Sequence, residues 1–328
     1  MSESRDMRLD FAPMEGITGY IYRNAHHDWF GGVERYFSPF LSPGVNKGFS
    51  PREEQDICRE HNQKIRLVPQ ILSNQAENFL LVTEKLAELG YEEVNLNLGC
   101  PSGTVVAKKK GSGFLAYPEE LQYFLEEIFA KSPLPISIKT RIGKESPEEF
   151  GRLLEIFNAF PIKELIVHPR VQRDMYKNTP NWEVFEWGLQ NSRNPVCYNG
   201  DINSLQDYER LRERFKGLEA AMLGRGLLRN PFLAKDIQKK AQKTKENLPI
   251  QETRQERLQA LRGFHEQVYQ DYKKVMSGER NVLFKMKEIW FYLAASFPES
   301  EKECKKIKKA ESCLNYERAV DAVFLRYD

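Results

Sequence analysis

Cys100 is the residue of this sequence whose setting most directly suggests chemistry. It lies in the turn Asn97-Leu98-Gly99-Cys100-Pro101, which follows the apolar run Glu93–Leu96. A thiol in a turn bracketed by glycine and proline could act as a nucleophile or as a proton donor. A cysteine hydrolase would also need a histidine base, and of the five histidines His168 alone follows a short apolar run, Leu165–Val167. The sequence predicts a reactive centre at Cys100 and leaves its role open.

Lys139 closes another apolar run, Ile136–Lys139, and Arg141 follows two residues later. An ammonium beside apolar strand residues is costly unless it meets an anion. A reduced flavin, with negative charge near N1 and O2, would be such an anion. An ion pair with a neighbouring carboxylate would satisfy the lysine equally well. Both interpretations stay open on the residues alone.

Two glycine-containing tripeptides, Asn199-Gly200-Asp201 and Gly224-Arg225-Gly226, follow the last two apolar runs. Glycines let a backbone approach a phosphate closely, and Arg225 adds a guanidinium. Either tripeptide alone could be an ordinary turn. Their positions together predict a phosphate site.

Lys108, Lys109 and Lys110 lie in the segment Thr104–Gly113, which we expect to be flexible. Three lysines close to Cys100 would suit the phosphate backbone of a nucleic acid. An exposed loop without a ligand is the alternative.

Eight apolar runs alternate with amphipathic stretches, and these elements must position the polar residues. The predicted strands are Leu9–Ala12, Arg35–Phe37, Leu67–Ile71, Glu93–Leu96, Ile136–Lys139, Leu165–Val167, Val196–Tyr198 and Ala220–Leu223. The predicted helices between them are Ala76–Leu89, Pro118–Phe129, Pro147–Phe157, Trp182–Leu189 and Ser204–Phe215. A doubly wound sheet would usually show a G-x-G-x-x-G turn after its first strand, and this sequence has none there. We therefore predict an α/β fold, a (β/α)8 TIM barrel whose polar strand ends meet at one mouth.

The pattern changes after about residue 240. A polar segment, Thr244–Thr253, is predicted to be a linker, and the helical stretches that follow predict an all-helical C-terminal domain. The predicted domains are therefore residues 1–240 and 241–328. Residues 1–234 carry a net charge of −3 and residues 235–328 a net charge of +5. This asymmetry suggests a polyanionic partner, although a solvated surface would also explain it.

Several classes of protein are excluded by composition. The charged N-terminus has no apolar run behind it, and no stretch approaches the roughly 18 apolar residues of a membrane span. The five cysteines form no C-x-x-C pair, so we expect no zinc site and no disulfide framework. We expect a monomer in the cytoplasm, without membrane contact and without a metal.

Seven motifs, taken in order, resemble those of the dihydrouridine synthases, flavin enzymes that reduce a uridine in RNA, normally transfer RNA. They are Pro13-Met14-Glu15-Gly16, Gln70, Asn97-x-Gly99-Cys100-Pro101, Lys139-x-Arg141, His168-x-Arg170, Asn199-Gly200-Asp201 and Gly224-Arg225-Gly226. The resemblance covers about residues 9–235. The stretch Lys285-x-Lys287-Glu288-x-Trp290 is similar to the C-terminal RNA-binding domain of that family.

The resemblance implies a role for each matched residue. FMN would be bound by Pro13, Met14, Glu15, Gln70, Lys139 and His168, and its phosphate by Asn199, Gly200, Asp201, Gly224 and Arg225. The RNA substrate would meet Asn97, Arg141 and Arg170 near the target uracil and Lys108, Lys109 and Lys110 along its phosphates. Cys100 would be the catalytic acid.

The implied reaction uses NADPH, or NADH, to reduce FMN, which passes hydride to C6 of the uracil while Cys100 protonates C5. Glu15, Pro169 and Val106 depart from the residues usual in the family and leave the target uridine undetermined. Three alternatives stay open. They are a synthase acting on ribosomal RNA, an FMN barrel that reduces a free pyrimidine, and an RNA-binding protein that has lost catalysis.

Overall fold

A computed structural model of the chain describes residues 7–42, 48–243 and 252–327. Most of the predicted linker, Thr244–Thr253, lies outside the described residues. The described strands are β1 (Arg8–Phe11), β2 (Arg35–Phe37), β3 (Leu67–Val68), β4 (Gln70–Ile71), β5 (Val94–Leu98), β6 (Ile136–Arg141), β7 (Leu165–His168), β8 (Val196–Tyr198) and β9 (Ala220–Leu223). All of their pairings are parallel, in the order β3-β2-β1-β9-β8-β7-β6-β5-β4. The predicted TIM barrel is confirmed as a nearly closed barrel.

The two edge strands of the sheet are joined at Pro69. The sequence predicts one strand over Leu67–Ile71, whereas the structure divides it into β3 and β4, the two outermost strands of the sheet. Proline has no backbone N–H to donate to a ladder, so the segment pairs with β2 before Pro69 and with β5 after it. The sheet therefore begins and ends on the same short segment.

The described helices are α1 (Tyr20–Trp29), α2 (Pro51–Ile57), α3 (Ala76–Glu88), α4 (Gly103–Val106), α5 (Pro118–Lys131), α6 (Glu149–Phe157), α7 (Trp182–Asn191), α8 (Leu205–Arg214), α9 (Arg225–Arg229), α10 (Leu233–Lys243), α11 (Arg254–Val275), α12 (Glu279–Leu293), α13 (Glu301–Lys309) and α14 (Cys313–Leu325). Helix α5 begins at Pro118, as the fixed φ of proline favours. Helix α2 begins at Pro51 with a capping box between Ser50 and Glu53, at the end of the stretch Ser38–Pro51, whose proline, glycine and serine content predicts a long loop.

The packing separates the chain into two compact units. One comprises Met1–Pro13, Glu34–Asp201 and Arg210–Leu223 and holds the whole sheet, and the other comprises Met14–Val33, Ile202–Glu209 and Gly224–Asp328. Neither unit is continuous in sequence. The domain boundary at residue 240, with a catalytic part before it and an RNA-binding part after it, stays a prediction.

The amino ends of the barrel strands are joined by buried ion pairs. Arg35 Nη2 lies 2.6 Å from Asp10 Oδ2 and also pairs with Glu164, while Arg35 Nη1 lies 3.4 Å from Glu93 Oε1. Asp10, Glu164 and Cys197 lie close enough together to hold a cation, but both carboxylates already pair with arginine. This end of a barrel serves stability, so the site must be sought at the other end.

In the second unit, α1 packs against α11. The rings of Tyr22 and Phe264 meet edge to face with centroids 5.3 Å apart. A Cβ added at Gly263 would lie 2.1 Å from the Trp29 ring, so this crossing requires glycine. The part of the chain that the structure describes contains no helix long and apolar enough to cross a membrane.

Candidate active site

The turn that carries Cys100 is held from one side by Asn97. Strand β5 ends at Leu98, and Asn97 Oδ1 accepts hydrogen bonds from the backbone N–H groups of Gly99 at 3.0 Å and of Cys100 at 2.9 Å. Asparagine readily forms this local turn because its short side chain reaches the backbone two and three residues ahead. The backbone of Cys100 is thereby fixed at the carboxyl end of the strand, with the residue half-buried.

Ser112 holds the same turn from the other side. Its backbone N–H and its hydroxyl both donate to the carbonyl oxygen of Cys100, at 3.1 and 2.8 Å. Gly111 adopts a φ of 55°, and a Cβ there would lie 2.8 Å from Cys100 O. The segment Thr104–Gly113, which we expected to be flexible, instead forms α4 and a buried 3-10 turn at Gly111–Ala116. The glycines are needed because the segment folds back onto Cys100.

Gln70 lies within a row of buried polar side chains across β4, β5 and β6. Gln70 Nε2 donates to Asn95 Oδ1 at 2.7 Å, and Gln70 Oε1 accepts from Asn97 Nδ2 at 2.7 Å. Asn95 Nδ2 donates in turn to Ser137 Oγ at 3.0 Å. Gln70, Asn95 and Ser137 are fully buried. The predicted contact between Gln70 and a flavin edge stays a prediction, since both ends of its amide already have protein partners.

Lys139 lies on β6, next to β5, and pairs in register with Asn97 of β5. Burial and, to a smaller extent, the neighbouring Arg141 cation lower the pKa of Lys139 to about 8, whereas the thiols of Cys100 and Cys197 oppose this effect. Within the described ranges, no carboxylate lies at ion-pair distance from Lys139. The ion-pair alternative is therefore not seen, and the lysine is a half-buried cation that a bound anion would stabilise.

His168 ends β7 and forms a pair with Arg170. Arg170 Nη1 lies 3.0 Å from His168 Nε2, and a guanidinium can only donate, so Nε2 must accept. The ring is therefore neutral in this arrangement and carries its proton on Nδ1. Arg170 also donates to the carbonyl oxygens of Lys177 and Asn178 and pairs with Asp201. The His168 ring is thus oriented by Arg170.

Arg141 is buried and joins three backbone segments. Its guanidinium donates to the carbonyl oxygens of Gly99 at 3.0 Å, Val171 at 2.9 Å and Met175 at 2.8 Å. Burial lowers the pKa of Arg141 to about 10. The structure thus shows Arg141 and Arg170 supporting the loops after β5 and β7. Their predicted contact with the uracil stays a prediction.

The residues predicted to hold a phosphate lie at two places. Asn199 Nδ2 donates to Met222 O at 2.8 Å, which fixes the loop after β8. A Cβ at Gly200 would lie 2.1 Å from the Tyr198 hydroxyl, so this glycine is required by a contact within the chain. Gly224 and Arg225 belong to the second unit, where Gly224 precedes the five-residue helix α9. Their joint role stays a prediction.

The three lysines after Cys100 differ in their surroundings. Lys109 Nζ lies 3.1 Å from Glu120 Oε1 and 4.0 Å from the centre of the Tyr117 ring. Lys108 is exposed and Lys110 is half-buried. Burial, and then the charge of Lys108, lowers the pKa of Lys110. Two cations of this segment therefore have no carboxylate partner among the residues described.

The motif at residues 13–16 spans both units. Pro13 ends a segment of the first unit, and Met14, whose N–H donates to Thr18 Oγ1 at 2.8 Å, begins one of the second. Glu15 is exposed and lines a groove of about 1050 Å³ in the second unit, next to Phe284 and Phe291 of α12. Backbone contact of Pro13, Met14 and Glu15 with a flavin stays a prediction.

Sequence reasoning missed Asn95, Ser112 and Ser137. Asn95 had a signal, because it alternates with Asn97 in the strand Val-Asn-Leu-Asn-Leu, and two amides on one face of a buried strand require partners. The serines had none, since a single serine in a strand or a glycine-rich turn is common.

Comparison with known proteins agrees with the resemblance seen in the motifs. The family model for dihydrouridine synthase matches residues 10–323. A probable tRNA-dihydrouridine synthase of Staphylococcus aureus is 28% identical over 275 residues, covering 80% of this chain and 77% of the relative. The tRNA-dihydrouridine synthase B of Shewanella oneidensis is 28% identical over 278 residues, covering 84% and 85%.

Solved structures show the same fold at low identity. Histamine dehydrogenase from Rhizobium sp. 4-9 superposes with a TM-score of 0.53 at 12% identity over 71% of this chain and 46% of its own. A 2-naphthoyl-CoA reductase gives 0.53 at 11% identity over 71% and 50%. The chain therefore spans about half the length of these proteins, and at this identity the likeness concerns the fold alone. The family match, in contrast, runs from β1 to α14, and it confirms that the chain belongs to the dihydrouridine synthase family.

Proposed function

We propose that this chain is a flavin-dependent oxidoreductase that reduces a uridine of transfer RNA to 5,6-dihydrouridine, with bound FMN and with NADPH as the external reductant. Family membership supports the reaction class. The names of the relatives from Staphylococcus aureus and Shewanella oneidensis support transfer RNA as the substrate. The observation that carries the proposal is the Cys100 turn, held by Asn97 and Ser112 beside Lys139, for which the described part of the chain shows no carboxylate at ion-pair distance.

The residues at the barrel mouth fit a flavin. Lys139 offers a cation, and the His168 ring at the end of β7 is held in place by Arg170. The ring edge of a flavin presents nitrogen and carbonyl acceptors, and its reduced form is anionic near N1 and O2, so cationic and donor groups complement it. The bound group would supply hydride chemistry, with N5 as the donor to C6 of the uracil.

Cys100 would supply the proton that the reduction also requires. The thiol S–H bond breaks as a C–H bond forms at C5, on the face opposite to hydride arrival, and the thiolate regains a proton from water. Hydrogen bonds from both sides hold the Cys100 backbone, so its thiol is presented from a defined turn. General acid catalysis of this kind contributes about 10²- to 10⁴-fold.

The RNA would be held by lysines of both units. In the first unit, Lys108 and Lys110 lie on the segment that folds back over Cys100. In the second unit, α13 exposes Lys302, Lys305, Lys306, Lys308 and Lys309 against two glutamates of the same helix. Clustered lysines bind phosphates by displacing counterions, and this makes the affinity depend on salt.

The test is the Cys100→Ala variant, assayed on transfer RNA from a strain that lacks dihydrouridine, with the product counted by mass spectrometry. We expect flavin absorbance to remain and turnover to fall by about 100-fold or more. Cys58→Ala is the matched control, because Cys58 is also half-buried but lies outside the strands, beside Glu60. It should turn over like the unaltered chain.

Four results would contradict the proposal in different ways. Full turnover by Cys100→Ala would remove its role as the acid. Product formed on ribosomal RNA and absent from transfer RNA would change the substrate, and equal turnover of free uridine would favour a pyrimidine reductase. A purified chain without flavin absorbance would point to an RNA-binding protein.

A further inference from the structure

We propose that Asn95 and Ser137, which face the barrel interior well below the mouth, are positioning residues for Cys100. They would act through the row of side chains Ser137, Asn95, Gln70 and Asn97, called the amide row below. The proposal rests on the proposed function in one respect, since it takes Cys100 as the proton donor.

The direction of every hydrogen bond in the amide row follows from its two ends. At the mouth, the backbone N–H groups of Gly99 and Cys100 can only donate, so the side-chain atom of Asn97 that meets them must be its oxygen. Asn97 Nδ2 must then donate to Gln70 Oε1, at 2.7 Å. The orientation of the Gln70 amide is thereby settled as well.

The same reasoning continues into the barrel. With its oxygen facing Asn97, Gln70 presents Nε2 to Asn95 and donates to Asn95 Oδ1 at 2.7 Å. Asn95 Nδ2 then donates to Ser137 Oγ at 3.0 Å, and the Ser137 hydroxyl donates to the carbonyl oxygen of Val94 at 3.3 Å. A backbone carbonyl can only accept, so the inner end agrees with the direction set at the mouth.

Burial makes the amide row sensitive to the loss of any member. Gln70, Asn95 and Ser137 have no exposed surface, and Asn97 is 7% exposed. A buried donor that loses its acceptor keeps the full penalty of desolvation, so it will move toward another partner. Without Asn95, Gln70 Nε2 has lost its acceptor and will turn toward another one. Any rotation of the Gln70 amide also moves Oε1 away from Asn97 Nδ2, which donates to it. The position of Cys100 therefore depends on Asn95, three side chains away, and on Ser137, four side chains away.

The strand register explains why these residues meet. Gln70 pairs with Asn95 between β4 and β5, and Asn95 pairs with Ser137 between β5 and β6. Laterally paired side chains of a parallel sheet point to the same face, so three polar residues at one level are adjacent without any loop contact. If these three residues have a purely structural role, replacing one of them should change only the stability of the fold. If they position Cys100, the replacement should also change the reactivity of its thiol.

The experiment compares Asn95→Leu, Ser137→Ala and Asn95→Asp with Thr140→Val in the flavin-loaded chain. Thr140 is the matched control, because it is a fully buried hydroxyl on the same strand as Ser137 that donates to Arg141 O at 2.8 Å outside the amide row. Two quantities are measured. One is the iodoacetamide alkylation rate of the Cys100 peptide relative to the Cys58 peptide, and the other is the pair kcat and KM on transfer RNA.

We expect Asn95→Leu to alter the relative alkylation rate of Cys100 by at least about threefold and to lower kcat by about 10- to 100-fold, with KM unchanged, because misplacement of a reacting group by about 1 Å has effects of this size. Ser137→Ala should change the alkylation rate and kcat in the same direction as Asn95→Leu, but by a smaller factor. Burial at this position favours the neutral acid in Asn95→Asp, which accepts from Gln70 and donates to Ser137 as the amide does, so this variant should stay within about twofold of the unaltered chain, as should Thr140→Val. If Asn95→Leu does not fold, Ser137→Ala and Asn95→Asp decide.

Equal alkylation rates and equal kcat in Ser137→Ala and Thr140→Val would overturn the proposal, as would a loss in Asn95→Asp as large as in Asn95→Leu. Failure of the proposed function can be distinguished from failure of the positioning role. If Cys100→Ala keeps its turnover, Cys100 is not the acid, while the alkylation rate still reports whether the amide row holds its turn. If Cys100→Ala is inactive and the amide row variants match Thr140→Val, the proposed function stands and the positioning role does not.

Discussion

Replacement of Lys139 by methionine should stabilise the chain when no flavin is bound. The pKa of Lys139 falls from its ordinary 10.5 to about 8, mainly through burial. A cation whose pKa is lower in the folded than in the unfolded chain destabilises the fold at every pH below both values. At about 1.4 kcal/mol for each pKa unit, this drop corresponds to about 3 kcal/mol at neutral pH. Methionine fills a similar volume without the charge, so Lys139→Met should gain a large part of that amount.

The pH dependence separates charge from packing. The penalty on the unaltered chain is full below a pH of about 8 and vanishes as the pH rises from about 8 to 10.5, because the lysine is then neutral in both states. The advantage of Lys139→Met should therefore be about 3 kcal/mol at about pH 7 and close to zero at about pH 10.5. The measurement is urea unfolding of the flavin-free chain, followed by circular dichroism at both pH values.

Lys131→Met is the matched control for this prediction. Lys131 is 61% exposed and pairs with Glu127 at 2.9 Å on the surface of α5, so its loss should change the free energy of unfolding by less than about 1 kcal/mol at either pH. A Lys139→Met chain that is less stable than the unaltered one at neutral pH would refute the reasoning. So would a gain of equal size at both pH values, since that would arise from apolar packing. The same variant should bind FMN more weakly, as measured by the fluorescence change on binding.

Three further predictions concern other parts of the chain. The Lys305→Glu and Lys308→Glu double variant should raise KM for transfer RNA and reduce the slope of affinity against salt, with flavin content unchanged; an unaltered salt slope would place RNA elsewhere. Gly111→Ala should lower the free energy of unfolding by about 1–3 kcal/mol because of its φ of 55°, whereas Gly103→Ala, which has open space around its Cα, should be close to neutral in urea unfolding. Burial holds the pKa of His265 at about 3, so the midpoint of thermal unfolding should fall as the pH drops below about 6.5, and less steeply in His265→Gln; parallel curves would contradict this.

The barrel was predictable because its signal is local and repeated. Short apolar runs alternate with amphipathic helices, and polar or glycine residues mark the ends of seven of the eight runs, so the order of the elements and the strand ends can be read along the chain. The division of Leu67–Ile71 at Pro69 was also within reach, since proline cannot donate within a ladder. Helix α2 was not anticipated, because its capping box follows a stretch rich in proline, glycine and serine.

The contacts within the site were predictable in part. Cys100 and Lys139 stand out from their types and positions, but nothing in the linear order shows that Ser112 returns to the carbonyl of Cys100 or that Arg170 selects the tautomer of His168. The first contact joins residues twelve positions apart, and the second depends on which way two neighbouring side chains turn, so neither can be read from the linear order. The sequence explains Gly200 by the close approach of a phosphate. The structure adds a second reason for glycine, since the atom that excludes a Cβ there belongs to Tyr198.

The sequence by itself therefore determined the architecture and the family and predicted a set of candidate reactive residues, because each depends on local periodicity or on the order of short motifs. The tertiary structure alone decided which of those residues support one another. The amide row exists because strand register brings Gln70, Asn95 and Ser137 to one level, and its direction is imposed by backbone groups at both ends. Register and hydrogen-bond direction are properties of pairs of strands, so no single stretch of sequence contains them.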